Sequence, residues 1–505
     1  LGPILLAFAV AANAAAAMIL EIAAGRLLAP YFGMSLYSWT TVIGVVLAGL
    51  TLGHWLGGYL AAAEGRALTR RLSLCFWAGA ATSALVLPVL SLLVGGTGLR
   101  DLPPAPAIAI SGFAAFFLPS LLAGLVQPMA TKAALEMLGA DADGRATGRV
   151  LGRMLAMGAL GSILGTFLAG FVLISYIGSS GTVWLVAGIN AVLGALFLPP
   201  LARLLGLAGS AGALALFLLT PLGGAAFQSP CDEESQYFCI QIDPADNMTG
   251  SPSRLMALDH LVHSINDRDE PQLLVSPYLH LVDEIVLRLF PKGPENAFFV
   301  GGGGFTLPRA WQDRWPGRPL TVAEIDPAVT AAAEASLWFQ AAPDTEVVAR
   351  DARVALARSA QRYDVIFGDA FKDIAIPAHL VTREFHDLVA AHLTDGGFYA
   401  LNLVDNPQEP RLLSSMVLTL YQSFETVEVW VAPDDIAGAR RATFILFASN
   451  RPSGLPNHLR SAQGYERRWA QIELSRLPLE EMGVLLTDDF TPVDRLLSEL
   501  WLEGE

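Results

Sequence analysis

Charge is scarce in this 505-residue chain: 16% of residues are Asp, Glu, Lys or Arg, 53% are hydrophobic, and the mean hydropathy is +0.47. That balance excludes a chain that is water-soluble throughout, in which about a quarter of residues are charged. Cysteine is scarcer still. Three of them, Cys75, Cys231 and Cys239, exclude a disulfide-stapled scaffold and a four-cysteine zinc site. A basic excess is also missing, because the formal net charge is −15. Such a surface would repel phosphate backbones, which excludes nucleic acid as a partner.

The shortage of charge is uneven. Residues 1–221 hold 10 Lys+Arg and 6 Asp+Glu, and the remainder holds 22 and 41, so the two parts carry +4 and −19. The first part reads as lipid-embedded and the second as a water-soluble acidic domain. A crossing helix needs roughly 20 apolar residues. Seven stretches qualify, at about 3–25, 39–62, 72–95, 105–127, 154–176, 181–198 and 203–221. The first is too long, and with Glu21 and Arg26 too polar at its end, for a signal peptide. Gly49, Gly53 and Gly57 recur at four-residue spacing, as do Gly161, Gly165 and Ala169, so helix backbones can approach closely.

Sidedness follows from the cations. Arg66, Arg70 and Arg71 follow the second span, and Lys132, Arg145, Arg149 and Arg153 follow the fourth. The positive-inside rule puts both loops in the cytoplasm. Seven spans then lean the remainder toward the outer face of a plasma (inner) membrane. A disulfide between Cys231 and Cys239 would suit that oxidising side.

Residues 222–271 read as a linker and a small β-unit, with strands at YFCIQI and SRLMALDHLVHSI and a turn at DPADNMTGSPS. From 272 to 450 strands and helices alternate, which predicts a Rossmann-like, mostly parallel sheet. The closing pair, 425–433 and 442–450, leaves no room for a helix. It predicts an antiparallel hairpin at one edge, as in sheets of the S-adenosylmethionine-dependent methyltransferase type. Residues 451–505 form a C-terminal extension.

In open sheets of this kind, ligands lie beyond the carboxyl ends of the strands. The first strand end is Gly301, Gly302, Gly303 and Gly304, where backbone can touch a ligand ahead of a helix N-terminus. The second is Glu324, 20 positions past Gly304, the distance suited to an acid that accepts from ribose hydroxyls. The third is Asp351, suited to an adenine amino group, and the fourth is Asp369 in VIFGDAFKD. A third fingerprint glycine would fall on Thr306, and Arg309 is the nearby basic residue. Adenosine without phosphates therefore fits better than a dinucleotide.

In order and spacing the chain resembles the spermidine synthase (polyamine aminopropyltransferase) family, and in particular its membrane-embedded, fused relatives. The membrane half contributes EIAAGRLLAPYFG, SWTTVIGVVLAGLTLGHWLGG and RVLGRMLAMGALGSILG. The soluble half contributes LMALDHLVHSINDRDE, VGGGGFTL, VAEIDP, RDARVAL, YDVIFGDAF, IPAHLVTREF and LTDDFTPVDRLL. The resemblance implies S-adenosylmethionine, intact or decarboxylated, as co-substrate and no metal. It implies that His263 contacts the cofactor's tail, Glu324 the ribose, and Asp351 with Ala352 the adenine. Asp369 matches the acid that accepts the proton of the attacking amine, and Tyr278 falls near a tyrosine of the acceptor channel. Lys372, Asp373, Asp488 and Asp489 are further candidates for holding substrate.

Departures from the family pattern matter too. Its glycine loop carries an acid where this chain has Gly304, and Ala370, Phe371 and Lys372 follow Asp369, with Asp373 displaced. Two like charges about 4 Å apart cost on the order of 1–4 kcal/mol at effective dielectrics of 80 to 20. Loss of that acid would admit the carboxylate of intact S-adenosylmethionine and leave backbone amides as donors. Three functions follow: transfer of an aminopropyl-type group to an amine such as a polyamine, cyclisation of S-adenosylmethionine to a lactone, and a non-enzymatic nucleoside-binding transporter or sensor. Methylthioadenosine is the product of the first two. The bundle could anchor the domain in the bilayer, form a homodimer, or pass a substrate across.

Overall fold

The computed structural model describes residues 2–96, 99, 102–139, 144–199, 202–204, 206, 208–209, 229–436 and 439–502. The chain forms two compact units, Leu1–Gln236 and Tyr237–Glu505.

The first unit is helical: α1 (Pro3–Phe32), α2 (Leu36–Leu60), α3 (Gly65–Ala84), α4 (Val86–Gly96), α5 (Pro104–Met137), α6 (Gly144–Leu168) and α7 (Ile174–Leu196). Among the described residues, five continuous apolar helical stretches are long enough to cross a membrane, the last being Arg145–Leu196 at 52 residues. At about 1.5 Å per residue that last stretch is more than twice the ~30 Å hydrocarbon core. It breaks at Gly178, whose φ of 69° and ψ of 173° are not helical. Six of the seven expected spans thus coincide with helical runs; the seventh, 203–221, falls almost wholly outside the described residues.

The spaced glycines set the helix pairing. A Cβ on Gly53 would stand 2.2 Å from the Leu121 carbonyl oxygen, and one on Gly161 2.0 Å from that of Ala11. Contacts advance in step along α2 and α5 and along α1 and α6, so each pair runs parallel. Ser73 Oγ donates to Gly194 O, and Gly79 faces Asn190, so α3 and α7 run antiparallel. Gly65 N donates to Glu136, which puts the start of α3 beside the end of α5.

The second unit opens with three antiparallel strands, β1 (Cys239–Pro244), β2 (Ser253–Leu258) and β3 (Leu261–Asp267). SRLMALDHLVHSI is thus two strands, reversed where Asp259 adopts a φ of 56°. Helix α8 (Pro277–Leu289) leads into the main sheet: β4 (Ala297–Val300), α9 (Thr306–Arg314), β5 (Leu320–Glu324), α10 (Pro327–Ser336), β6 (Thr345–Ala349), α11 (Ala352–Arg358) and β7 (Tyr363–Gly368). Then come α12 (Arg383–Ala391), β8 (Leu393–Asp405), α13 (Arg411–Leu420), β9 (Thr426–Val431), β10 (Ala442–Ser449), β11 (His458–Arg460) and β12 (Arg468–Ile472).

Strand order is β11-β12-β9-β10-β8-β7-β4-β5-β6. The centre is parallel, and β4, all four of whose residues are buried, is the apolar run expected of a strand covered on both faces. The chain moves outward from β4 to β5 and β6 on one side and returns to β7 on the other. That switch point brings the end of β4 beside the end of β7. The expected hairpin forms, from Thr426 opposite Ser449 to Val431 opposite Phe444, but it is not the edge. β12 pairs with β9 and β11 with β12, because Trp469 and Leu459, both 1% exposed, join the core.

Candidate active site

The glycine loop is shaped by its neighbours. Gly301 (φ 97°) and Gly303 (φ 50°) take left-handed conformations, and a Cβ on Gly301 would stand 2.8 Å from the Asp369 carbonyl oxygen. From the small β-unit, β3 clamps the loop's far end. Gly304 N donates to Ser264 Oγ at 2.7 Å, and Asn266 donates to Gly304 O at 2.8 Å while accepting from Thr306 Oγ1 at 2.6 Å. A Cβ on Gly304 would lie 2.4 Å from Ser264 Cβ. No acid can occupy 304 while Ser264 stands there.

A cavity of about 160 Å³ opens between this loop, β3, α8 and the ends of β7 and β8. Asp369 lines it, together with His263, Tyr278, Asp373, Asn402 and Arg441. Asn402 Nδ2 donates to Asp369 Oδ1 at 2.8 Å, and Tyr278 Oη donates to Oδ2 at 3.3 Å. Burial pushes the Asp369 carboxyl up to about 6, and the two hydrogen bonds oppose that rise. Burial, then the neighbouring Asp369, push the Tyr278 phenol up, so it remains a donor. Burial lowers His263 to about 4, leaving a neutral imidazole in the wall.

Asp373 is the second carboxyl of the cavity. It is 6% exposed, its φ is 64°, and neither carboxyl oxygen has a hydrogen-bond partner. His260 Nε2 lies 3.5 Å from Oδ1. Burial, followed by the charge of Asp259, raises Asp373 to about 8, whereas Arg441 acts to lower it. The cavity can therefore hold one ionised carboxylate, a second that resists ionising, and a guanidinium.

Other sequence candidates lie outside this cavity. Glu324, 6% exposed, accepts at Oε2 from Gly302 N (2.8 Å) and Gly303 N (3.2 Å), and at Oε1 from Asp326 N (3.0 Å). A ribose would have to share those oxygens. Asp351 caps α11 through Val354 N and meets His379 Nε2 at 2.6 Å, and Ala352 is buried as the first residue of that helix. Lys372 is exposed and does not line the cavity: its backbone N–H donates to Ala375 O across a turn whose buried Asp373 lines the cavity instead. Asp488 and Asp489 do not return to it either. Both are exposed, and Asp488 is held by Arg353 through two 2.7 Å hydrogen bonds. Arg309 turns away to the carbonyl oxygens of Asp267 and Arg268, so it offers nothing to a pyrophosphate.

Two lining residues escape sequence reasoning. Asn402 had a signal, a lone amide inside the apolar strand FYALNLV. Arg441 had none, because only the antiparallel pairing of β10 with β8 carries it to the cavity. Among the described residues, no group of three or more His, Cys, Asp or Glu could hold a metal ion.

Strand order and switch point define the second unit as a methyltransferase-type α/β domain with an antiparallel extension. No family model matches the chain. It is 29% identical over 219 residues to the polyamine aminopropyltransferase of Vibrio vulnificus (strain CMCP6), spanning 41% of this chain and 72% of that protein. It is 35% identical over 108 residues to a probable polyamine aminopropyl transferase of Bifidobacterium longum (strain NCC 2705), spanning 21% and 24%. Among solved structures it is similar to a probable spermidine synthase from Corynebacterium glutamicum, with 24% identity and a TM-score of 0.40, covering 43% of this chain and 79% of that one. The chain is thus similar in sequence to polyamine aminopropyltransferases. The relatives' names carry nothing about a fused membrane half.

Proposed function

We propose that the protein is a membrane-embedded transferase that cleaves an S-adenosylmethionine-type sulfonium and passes its aminopropyl-type group to an amine. The observation that carries this reading is Asp369, half-buried at the switch point, with its two carboxyl oxygens held by Asn402 and Tyr278 and facing the cavity. The amine lone pair forms a bond to the carbon beside the sulfonium. The carbon–sulfur bond breaks and its electron pair returns to sulfur, releasing methylthioadenosine. The proton lost by the amine goes to the Asp369 carboxylate and then to water. Little else is required of the protein than alignment of the reactants and a neutral nucleophile. His263 would meet the cofactor's tail and Asp373 the acceptor. Glu324 and Asp351, beside Ala352, would take the nucleoside after yielding part of their present bonding.

The same reading puts the soluble unit on the non-cytoplasmic side. In support, Arg26 donates to Ser235 O at 2.7 Å and Ser179 N to Glu234 at 2.8 Å, so residues 229–235 sit at the Gly178 end of the bundle. Arg66, Arg70, Arg71, Arg145, Arg149 and Arg203 flank the opposite helix ends, the end that the positive-inside rule assigns to the cytoplasm.

Mass spectrometry of products from the purified full-length protein, given S-adenosylmethionine or its decarboxylated form with and without putrescine, tests the chemistry. Methylthioadenosine together with an alkylated amine is expected. Methylthioadenosine and a lactone from S-adenosylmethionine alone would replace transfer with cyclisation, and absence of methylthioadenosine under every condition would leave a binding protein.

A further inference from the structure

The glycine loop has no amide to spare. Gly301 N donates to Ala323 O, Gly302 N and Gly303 N to Glu324, Gly304 N to Ser264 Oγ, and Phe305 N to Gly302 O. The expectation that these amides would receive a carboxylate is thereby corrected: each already has an acceptor. The unmet groups of the cavity are of the other kind. Among the described residues that line it, three buried side-chain atoms lack a hydrogen-bond partner: both carboxyl oxygens of Asp373 and Asn402 Oδ1. All are oxygens, so they call for a ligand that brings N–H donors.

Asp373 sits in a turn closed by Lys372 N, which donates to Ala375 O at 2.8 Å, and its φ of 64° is left-handed. Strained backbone and an unmet buried carboxyl gather where a ligand is handled. Facing Asp373 is His260, at the tip of the hairpin between β2 and β3. Asp259 pins that tip to β1. Its N donates to Cys239 O at 2.8 Å, and its Oδ1 accepts from Cys239 N at 2.9 Å. Its carbonyl oxygen accepts from Gln241 Nε2 at 3.0 Å. The tip is fixed, and His260 Nε2 comes within 3.5 Å of Asp373 Oδ1. Burial, then Arg441 and His263, lower His260 to about 4, so its ring is neutral and carries one N–H. Nδ1 is buried without a partner, so the tautomer with its hydrogen on Nε2 is the one that serves the carboxyl. That hydrogen bond is not yet made, since N–H···O separations run about 2.7–3.2 Å.

We infer that His260 is a positioning residue for the acceptor: when an ammonium of the acceptor reaches Asp373, His260 Nε2 closes onto Oδ1 and leaves Oδ2 to the amine. This rests on the transferase reading above, in which Asp373 meets the acceptor. The arriving ammonium supplies the positive charge that lets the buried carboxyl ionise, and the carboxyl proton passes to water. Asp259 and Asp494 oppose the new negative charge, and Arg441 favours it. A neutral histidine adds a hydrogen bond to the ionised form without adding a cation that would repel the amine.

Steady-state kinetics of the full-length protein in detergent test this, with putrescine as the amine and saturating S-adenosylmethionine or its decarboxylated form, whichever turns over. His260→Ala is expected to raise the KM for putrescine about tenfold or more, the size of one hydrogen bond to a charged group, and to change kcat less than about threefold. His260→Gln keeps an N–H donor near the place of Nε2 and is expected to restore most of the loss. In an Asp373→Asn background His260→Ala should add little, because nothing is left for it to orient. Methylthioadenosine affinity, read by isothermal titration, should be the same in every variant. A merely structural histidine would lower kcat and weaken methylthioadenosine without rescue by glutamine. That result, an unchanged KM in His260→Ala, or full additivity in the double variant overturns the inference, while wild-type turnover keeps the transferase reading. No methylthioadenosine release from wild type with any amine would remove both.

Discussion

If Asp369 receives the amine proton, activity must follow its ionisation. Burial places the group at about 6, with Asn402 and Tyr278 holding it below where burial alone would put it. At pH 5 about a tenth of such a carboxyl is ionised, at pH 6 half, and at pH 8 nearly all. Turnover under saturating substrate is therefore expected to rise about tenfold from pH 5 to pH 8, with unit slope below pH 6. A surface aspartate at the ordinary value near 3.9 would be more than nine-tenths ionised at pH 5 and would give almost no rise. The acceptor amine also loses a proton as pH rises, so one profile is ambiguous. Asn402→Ala resolves it. Removing the 2.8 Å donor withdraws stabilisation from the ionised form, so the limb due to Asp369 must move to higher pH while one due to free amine stays fixed. Asp369→Asn is expected to lower kcat by about 10²–10⁴-fold, the range of general acid–base assistance. A limb that does not move in Asn402→Ala, or turnover preserved in Asp369→Asn, refutes the assignment.

Other consequences follow from single contacts. Gly304→Ala is expected to cost about 1–3 kcal/mol through its clash with Ser264, and the double variant with Ser264→Gly to recover most of it; thermal unfolding of the two, if no recovery appears, counts against the clamp. Gly53→Ala forces a methyl to 2.2 Å from the Leu121 carbonyl oxygen, so α2 must move off α5 and unfolding in detergent should come earlier by a similar energy; an unchanged melting curve would contradict the pairing. Asp373→Asn bears on linkage. The folded-state value of Asp373 is raised to about 8, so wild type loses stability as pH rises from the usual carboxylate range through 8. The variant's advantage in Tm should therefore grow from pH 4 to pH 8, and a pH-independent difference would show that Asp373 ionises freely.

What the sequence made legible was local. A glycine run after an apolar strand, and acids at successive strand ends, located the switch point because the βα period fixes where each strand stops. Close helix packing was readable from glycines spaced by four, since that spacing keeps them on one helix face. What stayed hidden depends on partners distant in sequence. Asp351 looked like a ligand, but His379, from the segment beyond β7, already meets it, and Asp488 is held by Arg353. Ser264 explains the missing acid at 304 only once β3 is packed on the loop. Arg441 is carried to the cavity by strand pairing across 37 positions, Asp405 on β8 standing opposite its neighbour Ala442 on β10, and no local pattern announces it. Trp469 looked like part of a tail, because a five-residue strand carries too few alternations to be seen.

The two halves of the proposed site are also unequally prepared. The cavity for the tail and acceptor is open, whereas Asp351, the candidate for adenine, is occupied by its own chain. The His379 contact is short at 2.6 Å, but the histidine side chain is 48% exposed, so water can replace it. Exposed pairs of this kind are worth about 0–1 kcal/mol, which caps the penalty on nucleoside binding at about fivefold in Kd. His379→Ala should therefore tighten methylthioadenosine binding, by up to about fivefold, by releasing Asp351 for the adenine amino group. The gain should vanish when Asp351→Asn is added, since the acceptor set free no longer exists as a carboxylate. Weaker binding in the single variant would mean that His379 itself supports the base, and that Asp351 serves only to cap α11.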